Sequence, residues 1–197
     1  MVKNMIKLIK DKKVLHVGAI GSEGSLKQMK RHNMYKNAAS TIFGIDINKK
    51  LIDKVRKEGS TEITYCDITN NKDVDNVIKN LGTFDHIVMT EVIEHIGDLT
   101  LCCNNVYRLL NKGGNLYIST PNASSIKWLY NRLNNKKVNN PDHICWFDKN
   151  TITEILRRSK LKVIDVKYYG DCIELSKKIK IDHKEWMNKT LFVVATR

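Results

Sequence analysis

Strand-length apolar runs alternate with helix-patterned segments along almost the whole chain, and no other feature constrains its fold as much. The runs lie at Lys13–Val17, Thr41–Ile47, Glu62–Cys66, Asp85–Thr90, Asn115–Thr120, Leu161–Tyr169 and Thr190–Thr196. Helical patterns fall between them, near Glu23–Tyr35, Lys49–Glu58, Asp73–Asn80, Leu99–Leu110, Ser124–Asn134 and Thr151–Ser159. A helix between two strands carries the chain back across the sheet, so the strands pair in parallel. Repetition of that unit predicts a doubly wound α/β fold, a mostly parallel sheet with helices on both faces. The last helix is expected to open on Thr151-Ile152-Thr153-Glu154, a capping-box pattern, and Gly113-Gly114 reads as punctuation between a helix and the next strand.

The length of 197 residues, with no internal repeat or low-complexity linker, predicts one domain spanning 1–197. The stretch Asn134–Asp148 interrupts the pattern: it is polar, carries Pro141 and sets His143 near Trp146 and Phe147. Loops of that length in a compact domain are usually functional, so residues 122–148 read as a substrate-binding insert or lid. No apolar run reaches the roughly 20 residues of a membrane span. The basic start MVKNMIKLIKDKK reads as a short amphipathic lead-in helix and not as a signal peptide. Five cysteines without a C-x-x-C point to free thiols in a reducing compartment, hence the cytosol. The net charge of +13 suits an anionic partner, whether nucleic acid, a phosphorylated metabolite or an acidic membrane surface. Biased codon supply accounts for it equally well, since lysine dominates and is spread along the chain.

Two regions carry chemistry. Val14 to Gly24 is an apolar strand running into a turn with Gly18, Gly21 and Gly24, ahead of a helix whose N-terminus favours negative charge. Asp46 ends the next strand-like run, where a nucleotide-binding sheet bonds ribose hydroxyls. Asp67 ends the third; it either reaches an adenine edge or caps a helix. The second region is Phe84-Asp85-His86-Ile87-Val88-Met89-Thr90-Glu91-Val92-Ile93-Glu94-His95, a strand ending in two carboxylates and an imidazole. On a helical turn Glu91, Glu94 and His95 would share one face at the carboxyl edge of the sheet.

The order of these pieces resembles the class I S-adenosylmethionine-dependent methyltransferases, within them the ubiquinone-pathway-like group (methyltransferase types 11 and 23). The resemblance runs from the glycine turn, Asp46 and Asp67 through FDHIVMTEVIEH to Leu110-Asn111-Lys112-Gly113-Gly114 and Leu116-Tyr117-Ile118-Ser119-Thr120-Pro121-Asn122. It implies a seven-stranded sheet with a final antiparallel hairpin and S-adenosylmethionine as cofactor. The implied cofactor residues are Gly18, Ala19, Gly21, Ser22, Gly24, Asp46, Ile47, Asp67, Ile68, Thr90 and Glu91. The chain departs from the family in carrying His16 where an acid is usual, and in its wider glycine spacing.

Methyl transfer needs an aligned acceptor and a route for its proton. His143, in the insert where this family often builds its acceptor site, is the candidate base. Glu91, Glu94, His95 and His143 together are similar to the metal site of the small-RNA 3′-terminal 2′-O-methyltransferases, where a divalent ion would activate a hydroxyl. Many methyltransferases carry the same Glu-x-x-Glu-His without a metal. Trp128, Tyr130, Trp146 and Phe147 either line an acceptor pocket or pack locally, and Cys102-Cys103 reads as core. His32, His86 and His183 have no assigned role. The expected activity is O-methylation of a small polar molecule: a sugar, a phosphorylated metabolite or a natural-product intermediate. The alternatives are a metal-assisted RNA 2′-O-methyltransferase and a non-catalytic binding module.

Overall fold

The computed structural model describes residues 2–21, 27–137, 140–171 and 184–197. One seven-stranded sheet organises them: β1 (Lys13–Val17), β2 (Thr41–Asp46), β3 (Ile63–Tyr65), β4 (Phe84–Thr90), β5 (Leu110–Pro121), β6 (Lys162–Asp171) and β7 (Asn188–Thr196). Their spatial order is β3-β2-β1-β4-β5-β7-β6. The pairs from β3 through β5 are parallel, while β7 runs antiparallel between β5 and β6. The chain winds outward from β1 in one direction and then, from β4, in the other. The carboxyl ends of β1 and β4 therefore flank the topological switch point, where open α/β sheets form their binding crevice.

The central strands are buried on both faces, and neighbouring residues serve different cores. Leu15, Ile87, Met89, Leu116 and Ile118 face α4 (Asn71–Leu81), α5 (Leu99–Leu109) and α7 (Lys149–Arg158) through Val74, Cys102, Val106, Ile152 and Leu156. Val14, Val88, Tyr117 and Phe192 face α1 (Val2–Leu8) and α2 (Lys27–Lys36) through Met5 and Tyr35. That strict change of face at each residue is the pleat of a strand covered by helices on both sides. α3 (Lys49–Lys57) closes a smaller cluster through Ile52, Val55, Ala19 and Ile63. Two connecting helices, α6 (Ile126–Leu133) and α8 (Lys184–Met187), complete the described elements.

Two local expectations are corrected. Gly113-Gly114 does not separate a helix from a strand: β5 already begins at Leu110, and its register against β4 slips between Phe84 and His86. The four residues between Leu110 and Asn115 bulge out, with Gly113 at φ +77. Gly114 is held there because a Cβ would lie 2.8 Å from the Asp85 carbonyl oxygen. The capping box of α7 is formed by Asp148 with Thr151, and Glu154 instead pairs with Arg157 and Arg158 on the open face. Asp148 wins because its carboxylate accepts from the Thr151 amide at 2.7 Å, a charge-assisted cap at the positive end of the helix.

His16 shares the α2 face of β1. It is fully buried, with its ring stacked on His32 at 5.5 Å and Tyr35 edge-on at 5.3 Å. The two Nδ1 atoms lie 3.2 Å apart, so one imidazole donates and the other accepts. Burial, then the neighbouring imidazole, holds His16 well below its ordinary value; burial also lowers His32, against the opposing pull of Glu62. Both rings are thus neutral in the fold but titrate near 6.5 when unfolded. Proton uptake then favours unfolding, so stability is complete above that value and declines as pH falls below it. The buried Glu94 carboxyl, raised to about 8, pulls the other way over the same range, so the expected signature is a difference. Relative to His16→Leu, the melting temperature of the native chain should decline between about pH 7 and about pH 5. Equal slopes would show that the pair does not contribute.

Candidate active site

A cavity of about 950 Å³ opens at the carboxyl ends of β1 to β4. Gly18, Gly21, Asp46, Ile47, Asp67 and Ile68, from the ends of β1 to β3, line it together with Glu91, Glu94, His95, Gly97 and Asp98 from the segment after β4 and Asp142 and His143 from the insert. Its size is in the range of small-molecule and cofactor pockets.

The turn after β1 is set by contacts that only glycine permits. Gly18 has φ +69, and a Cβ there would lie 2.5 Å from Val92 Cγ2. Its amide donates to the Ile45 carbonyl at 2.9 Å. Asp46 ties the turn to β2: Oδ2 accepts from the Ile20 and Gly21 amides at 3.0 and 3.3 Å, and Oδ1 from the Asn48 amide at 3.0 Å. A carboxylate fixed in this way faces the cavity with acceptor capacity left for hydroxyl donors. Asp67 is not a helix cap. Asn70 caps α4, and Asp67 Oδ1 accepts from the Thr69 amide and hydroxyl at 2.9 and 2.7 Å. Ala19 and Thr90 are fully buried and do not line the cavity; a Cβ at Gly44 would meet the Ala19 Cβ at 2.7 Å. Ser22 and Gly24 lie outside the described residues.

In the segment after β4 the helical-face expectation fails. Glu91 sits at φ +56, outside any helix, and only Ile93–His95 form a short 3-10 turn. Glu91 is held by Ser119, whose hydroxyl donates to Oε1 at 2.9 Å and whose carbonyl accepts the Glu91 amide at 2.8 Å. Glu94 turns inward and is 1% exposed. Its Oε2 accepts from Thr120 Oγ1 at 3.1 Å, while Oε1 has no hydrogen-bond partner and lies 4.0 Å from His143 Nε2. Burial, and secondarily the charge of Glu91, pushes Glu94 up to about 8. Burial and then His95 lower His143 from its ordinary value. Near neutral pH the proton therefore stays on the carboxyl, and the imidazole keeps its lone pair.

The segment carrying His143 is fastened to this turn: the Ile144 and Cys145 amides both donate to the Glu94 carbonyl, at 3.0 and 3.1 Å. His95 Nδ1 lies 3.0 Å from the Asp142 carbonyl, which makes Nδ1 the donor and leaves the Nε2 lone pair free. One donor atom each from Glu94, His95 and His143 falls within 4.8 Å of the others. Two imidazoles, a carboxylate with an orphaned buried oxygen and a backbone carbonyl behind one ring suit a divalent transition ion. Glu91 belongs to the cavity wall and not to this group.

None of Trp128, Tyr130, Trp146 and Phe147 lines the cavity. Phe147 joins the main core, and Trp128 packs edge-on to Trp146 at 5.1 Å while donating from Nε1 to the Asn122 carbonyl at 2.7 Å. Asn122, to which sequence reasoning gave no role of its own, is the hub here. Its side-chain amide donates to the Glu185 and Asn188 carbonyls at 2.6 and 2.9 Å, joining the β5 end to α8 and β7. Arg31 also lines the cavity without having been singled out. It sits in a lysine-rich helix, and nothing in the pattern marks it.

Residues 6–166 match the family described as a methyltransferase domain. The ubiquinone biosynthesis O-methyltransferase of Vibrio parahaemolyticus is 31% identical over 122 residues, covering 60% of this chain and 48% of that protein. The enzyme of the same name from Coxiella burnetii is 26% identical over 168 residues, covering 80% and 67%. The chain thus spans about half the length of the first of these relatives. A solved S-adenosylmethionine-dependent methyltransferase from Archaeoglobus fulgidus superposes with a TM-score of 0.70 at 16% identity, covering 100% of this chain and 91% of that one. The 1,6-didemethyltoxoflavin-N1-methyltransferase of Burkholderia thailandensis, solved with S-adenosylhomocysteine, superposes with a TM-score of 0.61 at 12% identity, covering 100% and 77%. These two likenesses show the fold, and no helix among the described residues is long and apolar enough to cross a membrane. On the family match over residues 6–166, the chain belongs to the methyltransferase-domain family.

Proposed function

We propose that the protein transfers a methyl group from S-adenosylmethionine to a hydroxyl of a small polar molecule, with His143 accepting the hydroxyl proton. One observation carries this reading: a single cavity joins the Asp46-anchored glycine turn to the Glu94, His95 and His143 cluster. The ribose hydroxyls suit the remaining acceptor capacity of Asp46, and the sulfonium then lies toward Glu91, whose carboxylate favours the positive charge. Attack along the line of the C–S bond forms the C–O bond and releases S-adenosylhomocysteine. The proton passes to the neutral His143 imidazole. Asp142, whose carbonyl meets His95, borders the cluster and Asp98 lines the same cavity, and this negative lining favours an uncharged polyol over a phosphorylated one.

A second reading rests on the orphaned Glu94 oxygen: Glu94, His95 and His143 would hold a divalent ion. Such an ion lowers the pKa of a bound hydroxyl, the chemistry wanted for a vicinal diol or an RNA 3′ end. Incubation with methyl-labelled S-adenosylmethionine and a polar metabolite extract, with mass spectrometry of the products, tests the proposal. Transfer that persists after chelation supports the base reading, whereas transfer restored only by added metal supports the second. Salt-sensitive binding of RNA would favour the RNA acceptor, because phosphate contacts release counterions. Cofactor binding with no transfer to any fraction would leave a binding module.

A further inference from the structure

His16 on β1 and His32 on α2 meet in the core, and both elements run on to the cavity: Gly18 follows His16 by two residues, and Arg31 precedes His32 by one. The pocket for the two rings is built. Gly44, opposite His16 on β2, leaves the space, since a Cβ there would stand 3.2 Å from His32 Cε1. Val88 flanks His16 on β4, and Tyr35 of α2 stands edge-on to it at 5.3 Å. The charges acting on the pair are Glu62, whose Oε1 lies 3.4 Å from His32 Nε2, and Arg31 and Lys36 on α2. Glu62 favours a proton on the pair, and the two cations oppose it.

The contacts fix where the protons sit. Glu62 calls for an N–H on His32 Nε2, so His32 Nδ1 accepts and His16 Nδ1 donates across their 3.2 Å bond. His16 Nε2 is left as a buried lone pair, with no hydrogen-bond partner among the described residues. An added proton on that nitrogen meets no acceptor. On His32 Nδ1 it sets two N–H groups against each other, unless His16 moves its own proton to the same unpartnered Nε2. Every acid form of the seated pair therefore leaves a buried donor unsatisfied, a cost that separation of α2 from β1 removes.

We propose that the His16–His32 pair is an acid-released latch: protonation unseats α2 from β1 and weakens binding in the cavity, while a bound S-adenosyl ligand holds the pair neutral. This rests on the cofactor reading above and adds its regulation. The coupling is reciprocal, because ligand that binds only the seated form excludes the protons that only the unseated form takes up.

The test is calorimetric titration of S-adenosylhomocysteine at about pH 7.5 and about pH 5.5 into the native protein, His16→Gln and His32→Gln. Once released, each ring titrates near 6.5 and contributes up to about tenfold at the lower pH. Native affinity should fall on acidification by roughly ten- to hundredfold more than in His16→Gln, whose amide can accept as well as donate. His32→Gln should flatten the fall likewise. The cavity carboxylates are common to all three proteins, so the difference isolates the pair, and equal pH dependence in native and variants would overturn the proposal. Hydrogen exchange of the Lys27–Lys36 amides without ligand, referred to those of α5 in the same sample, reads the latch by itself. α2 should lose protection at the lower pH in the native protein and keep it in His16→Gln; protection that ignores pH would also overturn the proposal. If the native protein binds no S-adenosylhomocysteine at either pH, the cofactor reading fails, and the exchange of α2 alone upholds or sinks the latch.

Discussion

Replacing His143 with alanine should lower the turnover number by roughly 10²–10⁴ while leaving S-adenosylhomocysteine affinity nearly unchanged, the usual effect of removing a general base. His143 lines the cavity from the insert, and the hydrogen bonds of the Asp46 turn that would hold the cofactor run to Ile20, Gly21 and Asn48 and not to it. Its side chain is not buried deeply enough for its loss to collapse the core, and the segment is kept in place by two amides on the Glu94 carbonyl. Steady-state kinetics and calorimetry on one preparation separate the outcomes. Loss of turnover and cofactor affinity in parallel would make the residue structural. Unaltered turnover would remove the proton acceptor from the mechanism.

Gly18→Ala should destabilise the fold by about 2–4 kcal/mol and severely weaken cofactor binding, since left-handed strain and a steric clash both act there. The added Cβ would stand 2.5 Å from Val92 Cγ2, and a β-branched neighbour has few rotamers with which to retreat. Val92 immediately follows Glu91, so any retreat would carry the cavity wall with it. Adding Val92→Ala should restore part of the stability, because it removes the clash while the φ +69 strain stays. Chemical denaturation of the single and double variants measures both contributions. Absence of any rescue would mean that backbone strain alone sets the cost.

Much of the architecture was legible because apolar runs bounded by helical patterns leave few topologies open, and all seven strand runs appear in the sheet. Asp46 was singled out as a strand-end carboxylate beside a glycine turn; the structure sets it on the cavity and also gives it a structural duty, three backbone amides that the sequence pattern did not reveal. The exact geometry of Glu91, Glu94 and His95 was not. Helical spacing assumes helical backbone, and a positive φ at Glu91 sends its side chain to Ser119 while Glu94 turns inward to Thr120. The cap of α7 was misplaced because Asp148 competes with Thr151, and a charged acceptor outweighs a hydroxyl. Asn122 and Arg31 stayed hidden because their importance lies in contacts made at long range in the chain, between α6, α8 and β7 for one and across the cavity for the other.

Titration of S-adenosylhomocysteine into the native protein and into Asp46→Ala decides whether the turn anchored by Asp46 holds the cofactor. Saturable one-to-one binding by the native protein is expected. In Asp46→Ala, which loses the ribose acceptor and the anchor of the Ile20 and Gly21 amides, affinity should fall roughly hundredfold. No binding by the native protein, or equal affinity in the variant, would contradict that role for the turn.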